Sequence, residues 1–133
     1  MPANYRAILA GEDFNGIVVY PSFKNNSIEA CSMSRLRELG KIIQNLDPYS
    51  DERDAFETIV LGEAVQLQFD NEGRVILPGH LTEKVGISEQ ALFVGKGLVF
   101  EIWNKENFEV HLKAAREIAQ ENKLILKNNH CNN

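Results

Sequence analysis

The 133-residue chain carries 14 basic and 19 acidic side chains, for a formal net charge of −5 and a sequence pI near 5.2. That balance argues against a protein that grips nucleic acid through one broad basic face, because neutralised phosphates supply most non-specific affinity. At 44% hydrophobic and 25% charged residues the composition is globular, enough for one ordinary domain or two small units sharing a core, with no apolar run near the ~18 residues that span a bilayer.

In chain order, Pro2 opens an expected short helix that Gly11 ends. The segment 1–6 has no signal-peptide apolar region, so a soluble cytoplasmic protein is expected. Apolar runs at Gly16-Ile17-Val18-Val19-Tyr20 and Ser27-Ile28-Glu29-Ala30-Cys31 predict two strands. Leu36, Leu39, Ile43 and Leu46, at three- and four-residue steps, predict a helix capped by Ser32 or Ser34. A turn at Asp47-Pro48-Tyr49-Ser50 leads to a helix over 51–61, capped by Ser50, with Ala55, Phe56, Ile59 and Val60 on its apolar face and Gly62 as its stop. Val65-Gln66-Leu67-Gln68-Phe69 alternates as a strand. The turn Asp70-Asn71-Glu72-Gly73 and a strand Arg74-Val75-Ile76-Leu77 follow, then a short helix from Pro78 to Gly86. Strands over 91–95 and 99–103 flank Gly95-Lys96-Gly97. Asn104 caps a last amphipathic helix through Phe108, Leu112, Ala115, Ile118 and Ala119, with Glu106 in its first turn. The end, 127–133, is polar and expected to fray.

The pattern repeats. Met1-Pro2 matches Leu77-Pro78, the strand 16–20 parallels 91–95, and 27–31 parallels 99–103, with Glu29 and Glu101 at matching positions. The second copy has a hairpin, 65–77, before its Leu-Pro; the first has no counterpart, so Met1 is expected not to be the ancestral start. The absent strands and the apolar segment Phe93 to Trp103 predict a homo-oligomer.

The hairpin around 70–74 carries the chemistry. Asn71-Glu72-Gly73 suits a three-residue loop ending in a left-handed glycine, and Asp70 can accept hydrogen bonds from loop N–H groups. Arg74 starts the return strand beside the turn, where a guanidinium can fork onto a phosphate or a guanine edge, and a two-stranded ribbon fits the major groove. Read alone, the same residues also describe a surface hairpin with an exposed ion pair. Residues 70–84 hold Arg74 and Lys84 against Asp70, Glu72 and Glu83.

The Asp-x-x-x-Arg pattern running into an apolar strand and Leu77-Pro78, followed by Phe93-Val94-Gly95-Lys96-Gly97-Leu98-Val99-Phe100-Glu101-Ile102-Trp103, resembles the signature of the MraZ family of transcriptional regulators. With the repeat, the likeness covers the chain except its Asn-rich tail. The resemblance implies an α+β fold of two pseudo-symmetric AbrB-like swapped-hairpin halves (a double-split β-barrel) with peripheral helices, the first half lacking its N-terminal hairpin. It implies a partial SpoVT/AbrB-like copy over 1–46, a helical connection over 47–62, a complete copy over 63–126 and a polar tail. It further implies a ring-like homo-oligomer binding double-stranded DNA at promoter repeats upstream of the division and cell-wall gene cluster, nucleoid-associated and acting as a repressor. Carried over, Arg74 is the DNA-contacting arginine, Asp70 and Gly73 shape its loop, and Arg6 matches the arginine in the helix after the proline. The corresponding position in the second copy is Thr82, and Gly79 stands where the family has a basic residue. Asn71, His80 and Lys84 complete the expected DNA-contacting set.

Other motifs read as structure. Gly95-Lys96-Gly97 joins two strands rather than a strand and a helix, so it is a hairpin turn, not a phosphate loop, although Lys96 can still touch phosphate. His80, His111 and His130 lack metal-ligand spacing with each other or with Cys31 and Cys131, which are expected as free thiols. Neither the Glu12-Asp13 nor the Asp51-Glu52 pair sits in a catalytic motif, and Trp103 suits packing. No reaction, cofactor, metal, membrane or small-molecule substrate is expected. Two rival functions stand beside DNA binding: an oligomeric scaffold of this fold, and an AbrB-like antitoxin.

Overall fold

The computed structural model describes residues 14–131, with side-chain surroundings through 127. The expected helix after Pro2, with Arg6, Gly11 and Glu12-Asp13, lies outside the described residues. So do the side chains of His130 and Cys131.

Strand β1 (Gly16–Pro21) is apolar at every second residue on both sides, and all six residues are buried. It is therefore a central strand. Ile17 and Val19 face one apolar cluster with Ile28, Ala30, Leu81, Val85, Phe100 and Ile102. Val18 and Tyr20 face another with Cys31, Ile43 and Val60. Burying each such side chain contributes about 1.5–3 kcal/mol, so β1 holds the two layers together. It pairs antiparallel with β2 (Ile28–Cys31) on one edge and β3 (Val65–Gln68) on the other. Beyond β2 lie β5 (Phe100–Trp103) and β4 (Leu92–Gly95), giving the order β3-β1-β2-β5-β4. The mixed α+β class expected from the sequence is the one observed.

Helix α1 (Met33–Gln44) starts at Ser32, whose hydroxyl accepts from the Arg35 N–H at 3.0 Å, and buries Ile43. Helix α2 (Asp51–Phe56) starts at Ser50 in the same way and continues as a wider π-helical segment, Glu57–Gly62, which buries Val60 against β1 and α1. Helix α3 (Gly79–Lys84) seats Leu81 in the other layer. Gly86 ends it at φ 75°: its N–H donates to Glu83 O, and that of Ile87 donates to Thr82 O at 2.8 Å. This is the left-handed helix end that glycine favours. Pro78 stands one position earlier than expected, as the extended residue capping the helix.

The β2–β5 pairing sets Glu29 directly opposite Glu101, with Ile28 opposite Ile102 and Ala30 opposite Phe100. Matching residues of the repeat thus meet at one point, and a local twofold through this pair relates hairpin β1–β2 to hairpin β5–β4. Under it Val18 corresponds to Leu92, not to Phe93 as the sequence parallel suggested. The cause is the turn: residues 22–27 separate β1 from β2, whereas 96–99 separate β4 from β5.

Three expectations change. Residues 74–77 form no strand: the Arg74 carbonyl accepts from Asp70 N–H to close the loop, and among the described residues no strand pairs with the segment, which packs Val75 and Leu77 on the core. The apolar stretch 93–103 is not a bare partner surface, since its β5 half is buried in mid-sheet. The tail does not begin as a frayed coil: helix α4 (Lys105–Glu121) is followed by α5 (Lys123–Cys131). No helix among the described residues is long and apolar enough to cross a membrane.

Candidate nucleic-acid interface

β3 delivers the chain to the hairpin, and its anchorage to the sheet fixes where the hairpin sits. The Phe69 N–H donates to Asn15 O at 2.9 Å, the last bond before the loop. The loop then closes on itself: Asp70 N–H donates to Arg74 O at 2.9 Å and Gly73 N–H to Asp70 O at 3.0 Å. Gly73 takes φ 75°, the left-handed position expected of a three-residue hairpin loop.

Asp70 organises the loop. Its Oδ1 accepts from the Glu72 and Arg74 N–H groups at 2.9 and 2.8 Å, and its Oδ2 accepts from Arg74 Nε at 3.0 Å. The Arg74 backbone N–H, with the other donors, holds this exposed carboxyl below its usual range. Arg74 Nη2 also lies 3.2 Å from Glu72 Oε2. The guanidinium is thus steered from one side by two carboxylates while its side chain stays 67% exposed. Past the tip, β3 and residues 74–76 diverge and leave an open groove of 530 Å³ lined by Gln66, Gln68, Arg74 and Ile76.

The structure brings Arg74, Asp70, Glu72 and Gly73 into one unit, with Asn71 exposed at its tip. His80 and Lys84 sit four residues apart, both exposed, on α3. Among the described residues no hydrogen bond or ion pair joins either to the hairpin. Arg6 lies outside the described residues. Lys96 is in the β4–β5 turn, where its N–H donates to Val99 O at 2.9 Å, and its ammonium lies 3.5 Å from Glu101 Oε1. Cys31 is free and buried, and burial pushes its thiol up to about 12. No cluster of three metal-binding side chains occurs among the described residues.

Sequence reasoning missed Glu101. It is 1% exposed and ties its own strand β5 to the β1–β2 turn. Its Oε2 accepts from Asn25 Nδ2 at 3.0 Å and from the Ser27 hydroxyl at 3.2 Å, and its Oε1 accepts from Trp103 Nε1 at 3.2 Å. Burial pushes its pKa up, but these donors and Lys96 outweigh burial and hold it below the ordinary value. The matching positions of Glu29 and Glu101 were the only sequence signal.

A family model described as "MraZ protein, putative antitoxin-like" matches residues 60–128, the half that contains this hairpin. Proteins named "Transcriptional regulator MraZ" from Rickettsia akari and Rickettsia africae are each 59% identical to the chain. The first aligns over 96% of this chain and 86% of its own length, the second over 98% and 87%. The namesake from Rickettsia bellii is 58% identical over 96% of the chain and 85% of its own length. The fold is of mixed α+β class, and the relatives that cover nearly the whole chain are named as transcription regulators. The chain belongs to the MraZ family.

Proposed function

We propose that the protein is a sequence-specific DNA-binding transcription regulator, with the 70–74 hairpin as its reader. The observation that carries this reading is Arg74: exposed, beside a left-handed glycine turn, and aimed by Asp70 rather than left to sample many rotamers. A guanidinium held this way loses less freedom on meeting a phosphate or a guanine edge. Asn71 at the tip, with His80 and Lys84 on α3, flanks it; Arg6 belongs to the set by resemblance.

The net charge of −5 decides how such a protein binds. One hairpin in an acidic chain is a weak site, so affinity must come from several hairpins engaging promoter repeats at once. The reading therefore includes a ring-like homo-oligomer. It also includes two swapped-hairpin halves, about 1–46 and 63–126 joined through 47–62, and repression of the division and cell-wall gene cluster. The crossing of β3, from the second repeat, onto β1, from the first, supports the swapped arrangement.

The test is binding of the full chain to the DNA upstream of its own gene cluster, by anisotropy at several salt concentrations with a scrambled competitor. Expected is preference for the repeated site, with the logarithm of the affinity falling linearly with the logarithm of the salt concentration. Equal, weak binding to both DNAs at every salt would overturn this reading in favour of an oligomeric scaffold.

A further inference from the structure

The hairpin decides which part of Arg74 is left to meet DNA. A guanidinium presents two forks: a side edge, Nε with Nη2, and a terminal edge, Nη1 with Nη2. The side edge is taken. Asp70 Oδ2 accepts from Nε at 3.0 Å, and Glu72 Oε2 lies 3.2 Å from Nη2. The root of the Glu72 side chain is fixed too, since its N–H donates to Asp70 Oδ1 at 2.9 Å and Gly73 follows at φ 75°. Among the described residues Nη1 makes no hydrogen bond or ion pair, so the terminal edge keeps its two parallel donors.

Charge decides what that edge fits. One guanidinium against two carboxylates leaves residues 70–74 at −1. A phosphate is itself an anion and meets the two carboxylates as well as the arginine, so the unit offers it no net attraction. The O6 and N7 atoms of guanine are neutral acceptors that pair with two parallel N–H donors. As DNA displaces water from the tip, the contrast between the two sharpens.

We infer that Glu72 is a specificity-determining residue of the reader: it occupies the side edge of Arg74 and offsets its charge, withholding the guanidinium from phosphates and leaving its terminal edge for a guanine. This role rests on the DNA-reading hairpin proposed above and names the base it takes. Asp70 shares the side edge, but its Oδ1 also closes the loop through the Glu72 and Arg74 N–H groups. Glu72 contributes only its backbone N–H to that closure, so its carboxylate can be changed with the loop's bonds left in place.

The test is anisotropy of the full chain, across salt concentrations, on the DNA upstream of its own gene cluster and on a scrambled duplex. Copies of the first duplex carry 7-deazaguanine at single positions, which removes N7 and keeps base pairing. For the wild type, at least one replacement should weaken binding about tenfold, the size of a lost base contact. Arg74→Ala should be insensitive to that replacement and keep the wild-type salt dependence, whereas loss of a phosphate contact lowers the log–log slope by about one. Glu72→Gln removes the charge. It should strengthen binding to scrambled DNA more than to the operator, cutting the preference about fivefold, the low end of one base contact. Glu72→Asp, which keeps the charge, should hold most of the preference. Added to Arg74→Ala, Glu72→Gln should leave the preference unchanged, since the two act as one unit. Melting temperatures should match the wild type, because the paired groups are exposed.

Equal strengthening on both duplexes by Glu72→Gln reports a removed repulsion alone and would overturn this role, while lost preference in Arg74→Ala leaves the reader standing. Wild-type indifference to every 7-deazaguanine would overturn the guanine contact. A wild type with no operator preference would overturn both readings.

Discussion

Glu101→Ala is expected to lower the unfolding free energy by about 3 kcal/mol or more, because it strands the buried donors of Ser27 and Trp103 and the half-buried donor of Asn25 at once. Those donors lie on the β1–β2 turn and on β5, so the loss loosens the junction of the two hairpins. The effect depends on pH. The carboxyl's folded pKa lies below its ordinary value of 4.5, so the stability it contributes is complete above that value and fades as pH falls through the folded pKa. Urea unfolding between neutral and acid pH should therefore show a wild-type decline that is shallower in Glu101→Gln, which keeps the shape but cannot titrate. Parallel declines for the two proteins would show that Glu101 does not couple to folding.

Gly16→Ala is expected to cost about 3 kcal/mol, the upper end for forcing an added methyl into a packed site. A Cβ at Gly16 would overlap the Leu67 carbonyl oxygen on the neighbouring strand and come 2.8 Å from the Phe14 ring. The obstacle is backbone, so β3 itself must move away from β1. Gly16 pairs with Gln68, next to the Phe69–Asn15 bond that anchors the hairpin. The variant should thus lose hydrogen-exchange protection first at 65–69. A melting curve within about 1 kcal/mol of wild type would mean that β3 tolerates the shift and is not the hairpin's fixed base.

What the sequence made legible was local. The alternation of Val65-Gln66-Leu67-Gln68, the caps Ser32, Ser50 and Asn104, and the left-handed Gly73 each follow from a few adjacent residues, and each is found. The Asp70–Arg74 unit was legible for the same reason, since its parts are four residues apart. Gly16 and Glu101 were not. One matters because of a strand that arrives some fifty residues later, the other because of donors 74 and 76 residues away. The expected strand 74–77 failed at the same boundary: its alternation places Val75 and Leu77 inward, but no neighbouring strand among the described residues completes a ladder with it.

Operator binding by Arg74→Ala, measured across salt concentrations alongside its melting curve, tests the central claim most directly. If Arg74 reads a base, each site loses roughly 1–3 kcal/mol, and an assembly engaging several sites loses more. Folding should be nearly unchanged, since an exposed Asp–Arg pair contributes at most about 1 kcal/mol. Lost discrimination between operator and scrambled DNA, with the melting temperature held, is the predicted result. Wild-type affinity and specificity in Arg74→Ala would contradict the account and assign DNA contact to another surface or to none.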